Sequence, residues 1–112
     1  MRAMTVLICF FMLILTAAPA HSHPPQDISI SASGEDVDIE VAHGVSDPAS
    51  HYIKTIEVRL NNNLSITQTF FIQTDGKQNA RYRIPGLKKD DQVTVTAYCS
   101  KYGSLERSQK AR

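Results

Sequence analysis

Four histidines and two cysteines carry most of the chemistry open to this 112-residue chain. The histidines stand at positions 21, 23, 43 and 51, and the cysteines at 9 and 99. Neutral imidazole and thiolate are both strong ligands for iron, zinc or copper, so His23, His43, His51 and Cys99 would make a transition-metal coordination sphere if the fold brought them to one place. A histidine beside Cys99 would alternatively lower the thiol pKa and make it a nucleophile. Against both stands the plainer use of these residue types: a loop histidine is usually solvated, and a lone buried cysteine usually packs as a small hydrophobe. Hydrolytic signatures are missing, since there is no Gly-x-Ser-x-Gly, no His-Glu-x-x-His and no glycine-rich phosphate loop. The acidic pairs Asp90-Asp91 and Asp36/Asp38 read as solvated turn and edge residues.

What must position these residues depends first on what is removed. Residues 1–20 read as a secretory signal peptide: Arg2, an apolar run from Val6 to Leu15, then Ala18-Pro19-Ala20 as the cleavage site. The run is shorter than the roughly 20 apolar residues that span a bilayer. Cleavage would leave residues 21–112 as a single periplasmic or secreted domain with no membrane attachment. Without Arg2, the 12 basic residues fall level with the 11 acids, which excludes a nucleic-acid footprint and a polybasic membrane patch. Cys9 leaves with the leader, so Cys99 cannot close a disulfide within its own chain and is structural, intermolecular or reactive. A mature chain beginning His21-Ser22-His23 would also offer an amine, two amides and a third-position imidazole to square-planar Cu(II) or Ni(II), in competition for His23.

From Asp27 onward the hydrophobic period is two. Ile28, Ile30 and Ala32 alternate with serines, Gly34-Glu35 turns the chain, and Val37, Ile39 and Val41 alternate with acids. Tyr52–Leu60 and Leu64–Gln73 make a second pair around Asn61-Asn62-Asn63. Asp75-Gly76 turns again, Ala80–Ile84 is a short strand stopped by Pro85-Gly86, and Gln92–Cys99 puts Val93, Val95, Ala97 and Cys99 on one face. Ser104–Gln109 is a final polar segment, and Ser108–Arg112 reads as a frayed tail. About seven short strands with turn signals between them predict an all-β, immunoglobulin-like sandwich. His43 and Cys99 each extend the inward parity of their strands by one step, which would point both into the same end of the sandwich. His51, opening its strand after the Gly44–Ser50 loop, could return there.

Three segments resemble the iron-binding domain of desulfoferrodoxin, the superoxide reductase family. His51-Tyr52-Ile53-Lys54-Thr55-Ile56-Glu57 is similar to that family's His-Tyr-Ile-x-x-Ile-Glu, Ala97-Tyr98-Cys99-Ser100-Lys101-Tyr102-Gly103 to its Tyr-Cys-Asn-x-His-Gly, and His23-Pro24-Pro25 falls where it has His-x-Pro. The resemblance covers the whole expected mature domain and itself implies an immunoglobulin-like sandwich. It further implies mononuclear non-haem iron, Fe(2+)/Fe(3+), with His23, His43 and His51 as equatorial ligands and Cys99 as the axial one. Superoxide would be the substrate, reduced by one electron to peroxide, with an electron donor that the sequence does not name; a homo-oligomer is compatible with it. The pattern departs in three places. Tyr102 stands where the family has its fourth histidine, Ser22 where it has a substrate-attracting lysine, and His43-Gly44-Val45 where it has a His-Pro-Met turn. His21 is a second candidate for the missing imidazole.

A function of another class competes. His51-Tyr52-Ile53 together with the stretch from Gly86 to Thr96 resembles the sulfur-oxidation carrier subunit, an immunoglobulin-like binding scaffold without metal. Metal content separates the two readings.

Overall fold

The computed structural model describes residues 23–112; the signal peptide expected at residues 1–20, with Cys9, and the two residues after it, His21 and Ser22, lie outside the described residues. Seven strands follow in order: β1 (Asp27–Ser33), β2 (Asp36–Ala42), β3 (Ile53–Leu60), β4 (Asn63–Thr69), β5 (Lys77–Arg83), β6 (Gln92–Cys99) and β7 (Ser104–Lys110). One sheet has the order β1-β2-β5 and the other β4-β3-β6-β7. Every neighbouring pair is antiparallel. This is the all-β, immunoglobulin-like sandwich that the alternation predicts, and no helix occurs among the described residues.

The period of two does the sorting. Ile28 and Ala32 from β1, Val37, Ile39 and Val41 from β2, Ile53, Ile56 and Val58 from β3, and Val93, Val95 and Ala97 from β6 are all buried between the sheets. Burying each Val or Ile is worth roughly 1.5–3 kcal/mol, so a one-residue slip of β2 or β6 would forfeit several such terms at once. The β3–β4 hairpin closes through Asn61 and Asn62, both with positive φ (47° and 71°). That is the two-residue primed turn whose twist suits paired strands, and asparagine tolerates it.

Three expectations change. β5 begins at Lys77 rather than Ala80, because Gln78 takes an inward position that apolar alternation does not reveal. β4 ends at Thr69 rather than Gln73: Phe70 still donates its N–H to Lys54 O, but Phe71 and Ile72 turn out to solvent, 80% and 62% exposed. The C-terminus is not frayed. Ser104–Lys110 pairs along β6, Ala111 is buried, and Ala111 N–H donates to Asp91 O, Asp90 N–H to Ala111 O and Arg112 N–H to Ala32 O, at 2.8–2.9 Å. The polar faces of β7 hide it from any hydrophobic pattern, and backbone pairing is what makes it a strand.

One end of the sandwich gathers the ends of β2 and β6, the start of β3, the loop between β4 and β5 and the segment before β1. Backbone hydrogen bonds lace them together: Gln26 N–H to Ala42 O, His43 N–H to Gly76 O, Gln73 N–H to Pro48 O and Ser100 N–H to Tyr52 O.

Candidate metal centre

His43 is the residue after β2, and it continues the inward face of Val37, Ile39 and Val41 into full burial. His51 reaches the same place through a tight turn. Asp47 Oδ1 accepts from Ala49 N–H at 3.1 Å, its Oδ2 accepts from the Ser50 hydroxyl at 2.8 Å, and its carbonyl accepts from His51 N–H at 2.9 Å. The turn leaves His51 buried at the mouth of β3. β3 then meets β6 with Ile53 opposite Cys99, and the register shifts between Ile53 and Thr55. Such bulges re-aim side chains at strand ends, and this one lies beside the histidine and the cysteine.

His23 comes from the extended segment ahead of β1. Gln26 anchors that segment by accepting Gly44 N–H on Oε1 at 2.9 Å. Gly103 packs against it from the other side. Its φ is +79°, and a Cβ there would lie 2.8 Å from Pro24 Cβ, so only glycine fits. His23 Nε2 lies 2.8 Å from Gly44 O and Nδ1 3.0 Å from Pro24 O. Carbonyls only accept, so a neutral His23 donates to one of them at a time, and a metal taken at Nε2 would replace the Gly44 contact.

The three imidazoles converge. Ring centroids are 5.0 Å apart for His23–His43, 5.2 Å for His23–His51 and 4.7 Å for His43–His51. One nitrogen from each ring lies within 4.8 Å of the others. Cys99, a free and half-buried thiol, joins through His51, with Sγ 3.1 Å from Nε2. Lys101 N–H points at the same sulfur at 3.4 Å. Burial holds the His51 pKa below the usual imidazole value, and the neighbouring His43, His23 and Lys101 charges push the same way, so His51 is held in the neutral form that ligates.

This donor set fits a transition metal. A nitrogen and a sulfur bound at right angles, with bonds of about 2.1 and 2.3 Å, lie about 3.1 Å apart, and opposite nitrogens about 4.2 Å apart. The His51–Cys99 separation of 3.1 Å matches the first value, and the imidazole nitrogens, all within 4.8 Å of one another, form a three-histidine group that Cys99 adjoins through His51 alone. A cleft of about 420 Å³ lined by His23, Gly44, Val45 and Ser46 opens beside the centre. The larger hollow, about 490 Å³ on β1, β2 and β5 between Ser29 and Arg81, is lined by no histidine or cysteine.

No protein-family model and no curated relative matches the sequence. Solved structures do match. The superoxide reductase (1Fe-SOR) from Giardia intestinalis superposes with a TM-score of 0.60 at 24% identity, over 79% of this chain and 99% of that one. The superoxide reductase (neelaredoxin) from Ignicoccus hospitalis gives 0.52 at 17% identity, over 81% and 80%. The fold is that of the superoxide reductases. The motif resemblance is thus borne out at the level of architecture, and the superoxide reductase fold here carries three histidines and one cysteine at one end.

The departures from that family's pattern can also be placed. Tyr102, where the fourth histidine was expected, is 66% exposed. His21 and Ser22 lie outside the described residues. Three supporting residues escaped the sequence reading: Gln73, Gln26 and Asp47. Asp47-Pro48 is a recognisable turn start, whereas nothing local marks either glutamine, whose contacts with Gly44 and His43 span 18 and 30 residues.

Proposed function

We propose that this domain, exported to the periplasm or secreted, holds mononuclear non-haem iron through His23, His43, His51 and Cys99 and reduces superoxide to peroxide. The convergence of three imidazoles with Cys99 3.1 Å from His51, on a superoxide reductase fold, carries the proposal. Ferrous iron in that site supplies one electron (O2•− + e− + 2 H+ → H2O2), and an outside donor restores it.

The chain's own part is to bind, orient and attract. The histidines donate nitrogen lone pairs, with His51 kept neutral by burial. Cys99 contributes an electron-rich thiolate, whose donation favours release of a reduced oxygen species, the push logic of thiolate-ligated haem. The cleft at His23, Gly44, Val45 and Ser46 gives a diatomic anion a way in. With serine in place of the family's lysine, Lys101 is the cation whose field reaches His51, and it draws an anion toward this end of the sandwich.

The test is metal analysis of protein purified from iron-replete anaerobic cells. Near-stoichiometric iron is expected, with a visible absorption band that Cys99→Ala removes. Substoichiometric metal, together with absorption that Cys99→Ala leaves unchanged, would overturn the proposal in favour of the metal-free scaffold.

A further inference from the structure

Gln73 follows two solvent-exposed apolar residues in the loop between β4 and β5, yet it is itself only 2% exposed. Burying an amide without partners costs about 1–3 kcal/mol by mutational measure. Here every polar atom is partnered. Gln73 Oε1 accepts Ile53 N–H at 3.1 Å and lies 2.8 Å from His43 Nδ1. Its Nε2 donates to His43 O at 2.6 Å and to Asp75 O at 3.0 Å. One side chain therefore ties the end of β2 to the start of β3 and to its own loop.

These contacts also fix a protonation pattern. A backbone N–H only donates and a backbone carbonyl only accepts. Ile53 N–H must therefore face the amide oxygen, and the His43 and Asp75 carbonyls must face the amide nitrogen. Turning the amide over would set a donor against a donor and an acceptor against two acceptors. Three partners whose character cannot change thus orient the amide, and the fourth, His43 Nδ1, meets an acceptor. Nδ1 must carry the proton. The other ring nitrogen, Nε2, lies 3.3 Å from His23 O, a longer contact than the 2.8 Å one at Nδ1, so in the neutral ring the single proton stays on Nδ1 and the lone pair belongs to Nε2.

We infer that Gln73 is a positioning residue for the metal centre, holding His43 in the Nδ1–H tautomer with Nε2 presented to the metal. The inference rests on the metal-binding reading above and adds a residue to it. An outer partner on the distal N–H fixes the plane of a ligating imidazole and raises its basicity, and losing such a partner typically costs 10- to 100-fold in metal affinity. A glutamine that served only to satisfy the Ile53 and His43 backbone would change stability when replaced, and would leave tautomer and affinity alone.

The experiment has two independent readouts. In metal-free wild-type protein at mildly alkaline pH, 15N NMR of the imidazoles should show His43 protonated at Nδ1 and bare at Nε2; a proton at Nε2 instead overturns the inference without any variant. Titration with Co(II), read by its thiolate charge-transfer band, should then show about 10- to 100-fold weaker binding in Gln73→Leu at unchanged stoichiometry. In Gln73→Glu, which keeps an acceptor against Nδ1 but sets its second oxygen against the His43 and Asp75 carbonyls, stability should fall while the tautomer persists and the affinity recovers part of that loss. Equal Co(II) affinity in wild type and a folded Gln73→Leu overturns the inference. If Gln73→Leu does not fold, the wild-type tautomer and the Gln73→Glu titration decide, and a Gln73→Glu protein with His43 protonated at Nε2 counts against it. A wild-type protein that binds no Co(II) or Fe(II) refutes the metal-centre reading itself, a result distinct from either failure of Gln73.

Discussion

His51 Nε2 and Cys99 Sγ stand 3.1 Å apart across 48 residues of sequence. The pairing of β3 with β6, with Ile53 opposite Cys99, brings them together, and the Asp47 turn swings the imidazole inward. Donor atoms this close suit a shared ion better than they suit each other, because a thiol is a poor hydrogen-bond partner.

Metal should therefore shield the thiol. Loading the protein with Fe(II) or Co(II) is expected to slow alkylation of Cys99 by iodoacetamide by about tenfold or more, since the thiolate is the reacting form and would be committed to the metal. A chelator should restore the original rate. Equal rates with and without metal would remove Cys99 from the ligand set.

Replacing Tyr102 by histidine restores the family's spacing after the cysteine. Tyr102 is largely exposed, so the change costs little packing. Tyr102→His is expected to raise Fe(II) affinity about tenfold, roughly 1.4 kcal/mol, and to raise superoxide consumption with it. Tighter iron with no gain in turnover would show that something other than the missing imidazole limits the reaction.

Gly103→Ala should damage the site from a distance. The new Cβ would press on Pro24 at 2.8 Å in a backbone conformation that L side chains avoid, at a cost of about 1–3 kcal/mol. The Pro24 segment carries His23, so metal affinity should fall along with thermal stability. Lost stability with unchanged affinity would mean that His23 is not a ligand.

The last two residues are part of the fold. Deleting Ala111 and Arg112 removes three backbone hydrogen bonds and a buried methyl, and is expected to lower unfolding free energy by about 2–4 kcal/mol at roughly 0.5–1.5 kcal/mol per bond. Urea denaturation measures it, and an unchanged midpoint would restore the frayed-tail expectation.

That tail marks where the sequence stops being readable. β1, β2, β3 and β6 were legible because each buries one face, so Ile, Val and Ala recur at alternate positions. β7 was not, because apart from half-buried Leu105 its side chains are exposed, and main-chain pairing with β6 plus the polar pairs Thr94–Ser108 and Thr96–Glu106 hold it in place. The same division runs through the site. His43 and Cys99 could be placed from strand parity, and His51 from the loop that returns it. Gln73 could not, since its place depends on the register of β3 against the β4–β5 loop and on a backbone N–H that composition does not record. Long-range polar contacts of this kind carry no local period.

The packing of Gly103 on Pro24 has a consequence in time. His23 stands near the start of the described chain and Cys99 near its end, and the Gly103–Pro24 contact that seats the His23 segment cannot form until residue 103 has been made. Through most of synthesis the nascent chain therefore offers imidazoles without the thiolate, and any ion captured then would sit in a half-built site. Contacts between such distant segments are also the slow ones to establish. The full donor set proposed here is therefore a property of the finished chain, and loading of that set would follow synthesis.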